Sequence, residues 1–263
     1  MINIRASSLP GLFDCPARWK AIHIENRRMP TNGKAALGQA VHASTAAFDQ
    51  GLLDGSGLTI DDTAAAAVDV IYKPESEVVW DGDTTQSQAE DIALSLHEKY
   101  CKTIAPEQTY KAVEVECDSL EIEDLGISLT GTTDRVVETD EGLAIADIKT
   151  GKSVVGVDNN VKTVGYGYQI GVYEILAEHA SGIKITAPAQ IVGMNTAKTK
   201  QSQRMAIGEI SDAKKTLLGD GNEPSVLEIA SQIIHSGIFH GNPRSMLCHE
   251  RYCPIFNQCR FRK

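Results

Sequence analysis

No stretch of the chain is apolar for long enough to cross a bilayer, and the opening Met1-Ile2-Asn3-Ile4-Arg5 begins no run of signal-peptide length. A soluble, cytoplasmic protein without a membrane association is the expectation. No internal repeat or low-complexity tract stands out beyond Ala64–Ala67, which excludes a repeat array, and nothing in the composition suggests disorder or a fibre. No GxGxxG motif lies at a strand-to-helix junction, which disfavours a dinucleotide-binding Rossmann domain. No CxxC is present, so the paired knuckles usual in zinc sites are missing. Positive charge is also in short supply: the formal net charge is -10, which argues against indiscriminate binding to phosphates.

What is present is enough for one large domain, or a domain with an appended lobe: 263 residues, 42% of them hydrophobic. The scarce positive charge is unevenly spread. Residues 1–34 carry Arg5, Arg18, Lys20, Arg27, Arg28 and Lys34 against Asp14 and Glu25. Residues 240–263 carry Arg244, Arg251, Arg260, Arg262 and Lys263 against Glu250. Either the body is a solvated acidic surface with arbitrary termini, or the two ends meet and form a positive face for phosphates.

Ser7-Ser8-Leu9-Pro10 reads as a helix start, with a hydroxyl cap and an early proline. After a turn at Asn32-Gly33, helix is expected over Lys34–Gln50, ended by the segment from Gly51 to Gly57. Thr59-Ile60-Asp61-Asp62 resembles a capping box that opens an alanine-rich helix to about Tyr72, and Ser87–Thr103 is a further helix. Lys111–Cys117 then alternates strictly and puts Val113, Val115 and Cys117 on one face of a strand. Ile127–Glu138 and Leu143–Thr150 are two more strands joined by a hairpin at Thr139–Gly142. Helix is expected again over Val161–His179, a strand pair over Ala189–Asn195 and Arg204–Ile210, and a last helix over Ser225–Ile238. The order describes an α/β (α+β) fold, a mixed sheet flanked by helices.

The segment that carries chemistry is Gly131-Thr-Thr-Asp134, followed by Asp147-Ile148-Lys149. Residues two apart on a strand share a face, so Asp147 and Lys149 point the same way, and antiparallel pairing can bring Asp134 across from them. Two carboxylates suit a hard divalent cation, and a lysine beside them adds charge for a phosphate or a nascent hydroxide. An isolated DxK on a strand rim is usually surface charge. Here the strand Ala144-Ile-Ala-Asp147-Ile148-Lys149 is apolar, and burying a carboxylate calls for a metal or an ion pair.

The series resembles the RecB-like branch of the PD-(D/E)XK nucleases, which takes in AddB helicase–nucleases, CRISPR-associated adaptation nucleases and phage recombination exonucleases. Gly38-Gln-Ala-Val-His42 matches its GxxxH, Gly131–Asp134 its GxxD, Asp147–Lys149 its (D/E)xK and Gln169-Ile-Gly-Val-Tyr173 its QxxxY, in the same order. The resemblance implies a restriction-endonuclease-like core in which His42, Asp134, Asp147 and the Ile148 carbonyl hold Mg²⁺ or Mn²⁺. It further implies that Lys149 orients or helps to deprotonate the attacking water. Gln169 and Tyr173, four apart on one helical face, would reach the DNA groove. Glu114 and Glu116 share a face of the preceding strand, but solvent exposure explains them equally well.

Cys248, Cys253 and Cys259 lie within twelve residues and need a fourth thiolate, for which Cys15 is the candidate; Cys101 and Cys117 fit small buried hydrophobes better. Wider spacing suits a [4Fe–4S] cluster, with zinc as the alternative occupant. The same branch often places one cluster cysteine at the N-terminus and three at the C-terminus, commonly with two residues between the first pair of the triplet where this chain has four. Residues 1–34 and 240–263 are accordingly expected to form a cluster lobe around a nuclease core of 35–239, with a helical insertion at about 52–106.

The resemblance implies a metal-dependent deoxyribonuclease, an exonuclease on linear or single-stranded DNA in recombination, repair or CRISPR adaptation, in a bacterial or phage-infected cell. The alternative is a DNA-binding subunit with the same fold that works through a helicase, recombinase or integrase partner.

Overall fold

The computed structural model describes residues 1–262; Lys263, counted above in the basic C-terminal end, lies outside them. In chain order come β1 (Ile2–Arg5), α1 (Leu9–Asp14), α2 (Pro16–His23), β2 (Thr31–Asn32), α3 (Gly33–Asp54), α4 (Ile60–Tyr72), β3 (Val78–Val79) and α5 (Gln86–Thr103). The meander β4 (Thr109–Ile122), β5 (Ile127–Thr139) and β6 (Gly142–Thr150) follows. The chain then forms α6 (Gly167–Ser181), β7 (Ala189–Met194), β8 (Met205–Ile210), α7 (Ala213–Leu218) and α8 (Val226–Ser236).

Strand β5 organises the sheet. One edge pairs antiparallel with β4. The other edge is shared: β1 runs parallel to Ile127–Thr130, and β6 runs antiparallel to Arg135–Thr139. Beyond β6 the order continues through β7, parallel, to β8, antiparallel. Residues 131–134 therefore lie between the two partners, where β6 leaves β5 and its residues 147–150 pair with β7 alone. The sheet forks there.

Alternation along the strands divides the core into two layers. Ile145 and Ile191 belong to a cluster with Leu9, Leu12, Ile170, Leu176 and Leu217, beneath α1, α6 and α7. Ile148 and Val192 belong to another with Leu37, Val41, Ile71 and Leu96, beneath α3, α4 and α5. The mixed sheet lies between helical layers, as the sequence pattern requires. Helix α3 turns a stripe of Leu37, Ala40, Val41, Ser44, Thr45 and Asp49 inward, the spacing of one helical face.

The termini meet. Ala17 N donates to His240 O, Arg18 Nε to Tyr252 O, and Ser245 Oγ to Asp14 Oδ2. No helix among the described residues is long and apolar enough to cross a membrane.

Several element ends differ from the sequence reading. Asn32 is a helix cap rather than part of a turn, since its side chain accepts from Ala35 N. Helix α3 runs through Gly51 and stops only at Gly55, whose φ of 66° suits a left-handed cap. The segment from Val161 is not yet helix: Val161 bridges Val155, Gly165 has φ 97°, and α6 begins at Gly167. Strand β1 carries too few residues to show a period, and it forms because β5 offers an open edge.

Gly171 in α6 marks a close approach to the start of α7. A Cβ there would stand 2.7 Å from the Ala213 carbonyl oxygen, a backbone atom that cannot rotate away. The gain of about 1 kcal/mol in helix propensity is outweighed by this overlap. Gly171→Ala is expected to lower the thermal midpoint by about 2–8 °C, for a net loss of about 1–2 kcal/mol. An unchanged midpoint in a thermal melt would show that α6 and α7 separate without cost.

Candidate active site

The fork leaves a ladder position without its acceptor. Arg135 pairs with Ala146, and one step further on the two strands have parted. The Ile148 N–H is buried there, and the Asp134 carboxylate takes it in place of a backbone carbonyl, Oδ2 to N at 2.8 Å. The same oxygen lies 3.2 Å from His42 Nδ1, carried in on α3. Asp147, 1% exposed, holds Lys149 Nζ at 2.6 Å, as expected of residues two apart on one strand. Lys149 Nζ also donates to Gln169 Oε1 at 3.1 Å, and Gln169 Nε2 donates to the Tyr173 hydroxyl at 2.9 Å. The Tyr166 ring lies below the ammonium, 5.2 Å from centroid to nitrogen.

The glycines of the two glycine motifs have steric reasons. A Cβ on Gly38 would meet Thr150 Oγ1 at 2.9 Å, so a side chain there would have to displace the threonine hydroxyl at the end of β6. A Cβ on Gly131 would meet the Tyr173 ring at 3.0 Å and Ala6 Cβ at 3.2 Å. His42 and Tyr173 thereby approach the fork from opposite layers.

Glu114 is the residue that the sequence could not single out. Val113 pairs with Arg135 and Val115 with Thr133, so Glu114 sits beside Asp134. His42, Glu114 and Asp134 offer one ligand atom each within 4.8 Å of one another. Strict alternation treats Glu114 and Glu116 alike; only the register separates them. Glu114 also has φ 47°, a left-handed conformation within a strand that a non-glycine residue keeps only when its surroundings hold it.

The electrostatics follow from two carboxylates sharing a buried place. Burial alone would raise the Asp134 pKa, but His42, Arg135 and the Ile148 N–H outweigh it and hold the carboxyl well below its usual range. Asp147 is pushed above its usual range by burial and by the charge of Asp134, against the pull of Lys149. The crowding around His42 would lower its pKa, yet the Asp134 carboxylate reverses the sign and raises it. Burial and Asp134 raise Glu114 as well. A concentration of acid that favours protons in this way also favours a cation.

A family model of the PD-(D/E)XK nuclease superfamily matches residues 4–260. The chain belongs to the PD-(D/E)XK nuclease superfamily. The segment that resembles the (D/E)XK motif, Asp147-Ile148-Lys149, lies on β6. Members of this superfamily use divalent metals, and a His/Glu/Asp group stands at the fork. A crystal structure from Eubacterium rectale, of a protein provisionally named an exonuclease, superposes with a TM-score of 0.56 at 15% identity, over 94% of this chain and 86% of that one. A second, of SSO0001, gives a TM-score of 0.46 at 14% identity over 99% and 87%, too loose for an argument. No curated protein matches.

The cysteines gather elsewhere. Cys15, Cys248, Cys253 and Cys259 line one small cavity between the joined termini, while Cys101 and Cys117 are buried in the body. Cys15 Sγ accepts from Asn242 N at 3.4 Å. Among the described residues, no three of the four sulfurs lie within 4.8 Å of one another.

The raised Asp147 pKa carries a stability consequence. A carboxyl whose folded pKa exceeds its unfolded one costs stability once ionised, and the cost grows as pH rises from the ordinary carboxylate range through the raised value. With metal chelated at pH 8, Asp147→Asn should raise the thermal midpoint by about 2–4 °C for each 1 kcal/mol relieved. The gap from wild type should close as pH falls into the carboxylate range. A lower midpoint for the variant at pH 8 would contradict the assigned shift.

Proposed function

We propose that this chain is a divalent-metal-dependent deoxyribonuclease that hydrolyses phosphodiester bonds from the ends of linear or single-stranded DNA. The observation that carries the reading is the fork, where β5 and β6 part beyond the Arg135–Ala146 pair and leave Asp134, Asp147, Lys149 and His42 together. Two buried carboxylates, a half-exposed glutamate and an imidazole form a donor set that fits Mg²⁺ or Mn²⁺. His42, Asp134, Asp147 and the Ile148 carbonyl would hold the ion, with Glu114 as an added ligand. Such an ion supplies a nucleophile at neutral pH and charge neutralisation at the scissile phosphate.

The chain's own groups do the rest. Lys149 places a cation beside Asp147, where it orients the attacking water and meets the developing charge on phosphate. Gln169 and Tyr173 are 8% and 6% exposed, so they act behind Lys149 and hold its ammonium in place rather than forming the groove surface. Tyr166, which caps α6 beside the Lys149 ammonium, is a half-buried ring placed for contact with a base. A groove along α3, lined by Lys34, Gln39, His42, Glu114 and Thr150, gives a strand its approach.

End-dependence is supported by the acidic body, which offers few cations to neutralise duplex phosphates. The exonuclease name of the Eubacterium rectale protein agrees with it. The four cysteines are assigned to a [4Fe–4S] cluster that fastens the two ends together. Zinc is the alternative occupant of the same four thiols. Work in recombination, repair or CRISPR adaptation, beside a helicase, recombinase or integrase, suits such an enzyme.

End-labelled linear DNA and covalently closed circles, incubated with Mn²⁺ and with or without chelator, test the activity. Linear single strands should disappear fastest and closed duplex circles should persist; equal cutting of both would establish an endonuclease. Lys149→Ala should slow cleavage by about 10²- to 10⁴-fold with DNA binding retained, and Asp134→Ala should lose both cleavage and tight Mn²⁺ binding. Full activity in either variant would refute the assignment.

Protein purified without oxygen should be brown, with iron and acid-labile sulfide. Replacing Cys15, Cys248, Cys253 or Cys259 with alanine should bleach it, whereas Cys101→Ala should not. Stoichiometric zinc without sulfide would overturn the cluster and leave the nuclease assignment standing.

A further inference from the structure

A buried ion pair lies directly behind the candidate metal site, and none of the motifs accounts for it. Arg135 and Asp49 are 1% and 0% exposed. The guanidinium spends its donors in four directions. Nε donates to Asp49 Oδ2 at 2.6 Å and Nη2 to Thr45 Oγ1 at 3.1 Å, both on α3. Nη1 donates to the Asp134 main-chain oxygen at 2.9 Å and to Glu114 Oε1 at 3.1 Å. Asp49 is held in turn by the Tyr100 hydroxyl at 2.7 Å, which meets the Tyr110 hydroxyl at 2.9 Å. The second oxygen of Asp49 has no hydrogen-bond partner.

Stability alone is a poor reason for such an arrangement. Desolvating two charges costs several kcal/mol on the order of what their attraction returns, and apolar replacements of equal volume are often as stable. The geometry gives a different reason. One planar fork ties α3, which carries His42, to the two strand residues that face it, Glu114 on β4 and Asp134 on β5. It also restrains Glu114 in a backbone conformation that a strand residue does not adopt by itself. An ammonium could not span these acceptors, because a lysine has neither the reach in four directions nor the plane.

We propose that Arg135, fixed by Asp49, is a positioning residue that presents Glu114 and Asp134 to His42 as a preformed cation site, and that it sets the protein's affinity for divalent metal. The inference rests on the metal-site reading above. Arg135 touches neither substrate nor ion; it acts through the Glu114 carboxylate and the Asp134 main chain. Partners that orient metal ligands in this manner are worth about 10- to 100-fold in affinity.

The test is Mn²⁺ binding to the intact protein, read from the electron paramagnetic resonance of free Mn²⁺, with thermal melts in parallel. Arg135→Lys keeps the charge and loses the fork, and it should weaken Mn²⁺ binding by about 10- to 100-fold, with cleavage recovering at high Mn²⁺. Asp49→Asn, nearly isosteric, should weaken it in the same direction. Glu114→Gln should also weaken it, and adding Arg135→Lys to that variant should then have little further effect, because the arginine acts largely through this carboxylate. A purely structural pin between α3 and the sheet would lower the melting midpoint and leave Mn²⁺ affinity unchanged. Folded Arg135→Lys with wild-type affinity would therefore overturn the proposal, as would strict additivity with Glu114→Gln. Should Arg135→Lys fail to fold, Asp49→Asn carries the same comparison; failure of both to fold would assign the pair to stability and overturn the role. A wild-type chain that binds no Mn²⁺ would overturn the metal-site reading itself, a result distinct from any of these.

Discussion

One hydrogen bond shows what the site depends on: the Ile148 amide given to the Asp134 carboxylate rather than to a neighbouring strand. Sheets leave few buried N–H groups without a backbone acceptor, because an unpaired one costs as much as a lost hydrogen bond. Here the topology itself opens the sheet. Strand β5 gives the first part of one edge to β1 and the last part to β6, and on that edge the residues in between have no strand beside them. A side chain must fill the gap, and a carboxylate that does so is held at a fixed place with one oxygen already committed. Everything else at the fork is arranged around that anchored charge: His42 from one helical layer, and Asp147 and Lys149 from the departing strand.

The opening sets two requirements that the remainder of the fold satisfies. Helix α3 has to lie against the end of β6, and α6 has to lie against the middle of β5. Glycine at 38 and at 131 makes both approaches possible, and their absent side chains explain why each motif begins with a glycine well before its functional residue. The charges must also be kept from collapsing onto each other. Asp134 is stabilised as an anion by its partners while burial and the neighbouring charge push the Asp147 pKa up, so the two carboxylates differ in how readily they ionise. A cation bound between them would favour the ionised form of both.

Much of this is legible in the amino-acid sequence. Period-two alternation finds the meander, and the capping box at Thr59 is present as read, with Thr59 and Asp62 satisfying each other. The four motifs point to the superfamily because each is a local pattern and their order is long-range information. What escapes a sequence reading is what only tertiary contacts decide. Val161 sits in a sequence that could be helical, and it is held in a bridge to Val155 instead. Glu114 and Glu116 are equivalent by alternation, and the register with β5 makes one of them a neighbour of Asp134. Asp49 reads as an ordinary polar residue on a helix, because its partner Arg135 is far away in sequence and close only after folding.

The joined termini fit the same reasoning at a larger scale. Strand β1, paired to β5 just before the fork, is followed directly by α1 and by Cys15. The C-terminal segment returns to that place through His240, Asn242 and Ser245, which bond to the backbone of Ala17 and to both the backbone and the side chain of Asp14. A covalent or cluster link there would close nearly the whole chain into a loop, and the entropy removed from the unfolded state grows with loop length. The mechanical result concerns the site. Strand β1 borders the open residues of β5, so anything that fastens the N-terminal segment also fixes one wall of the fork. The joined ends thus lie one short strand away from the residues that precede Asp134, and the same N-terminal segment serves the cysteine-lined cavity and the sheet edge beside the fork.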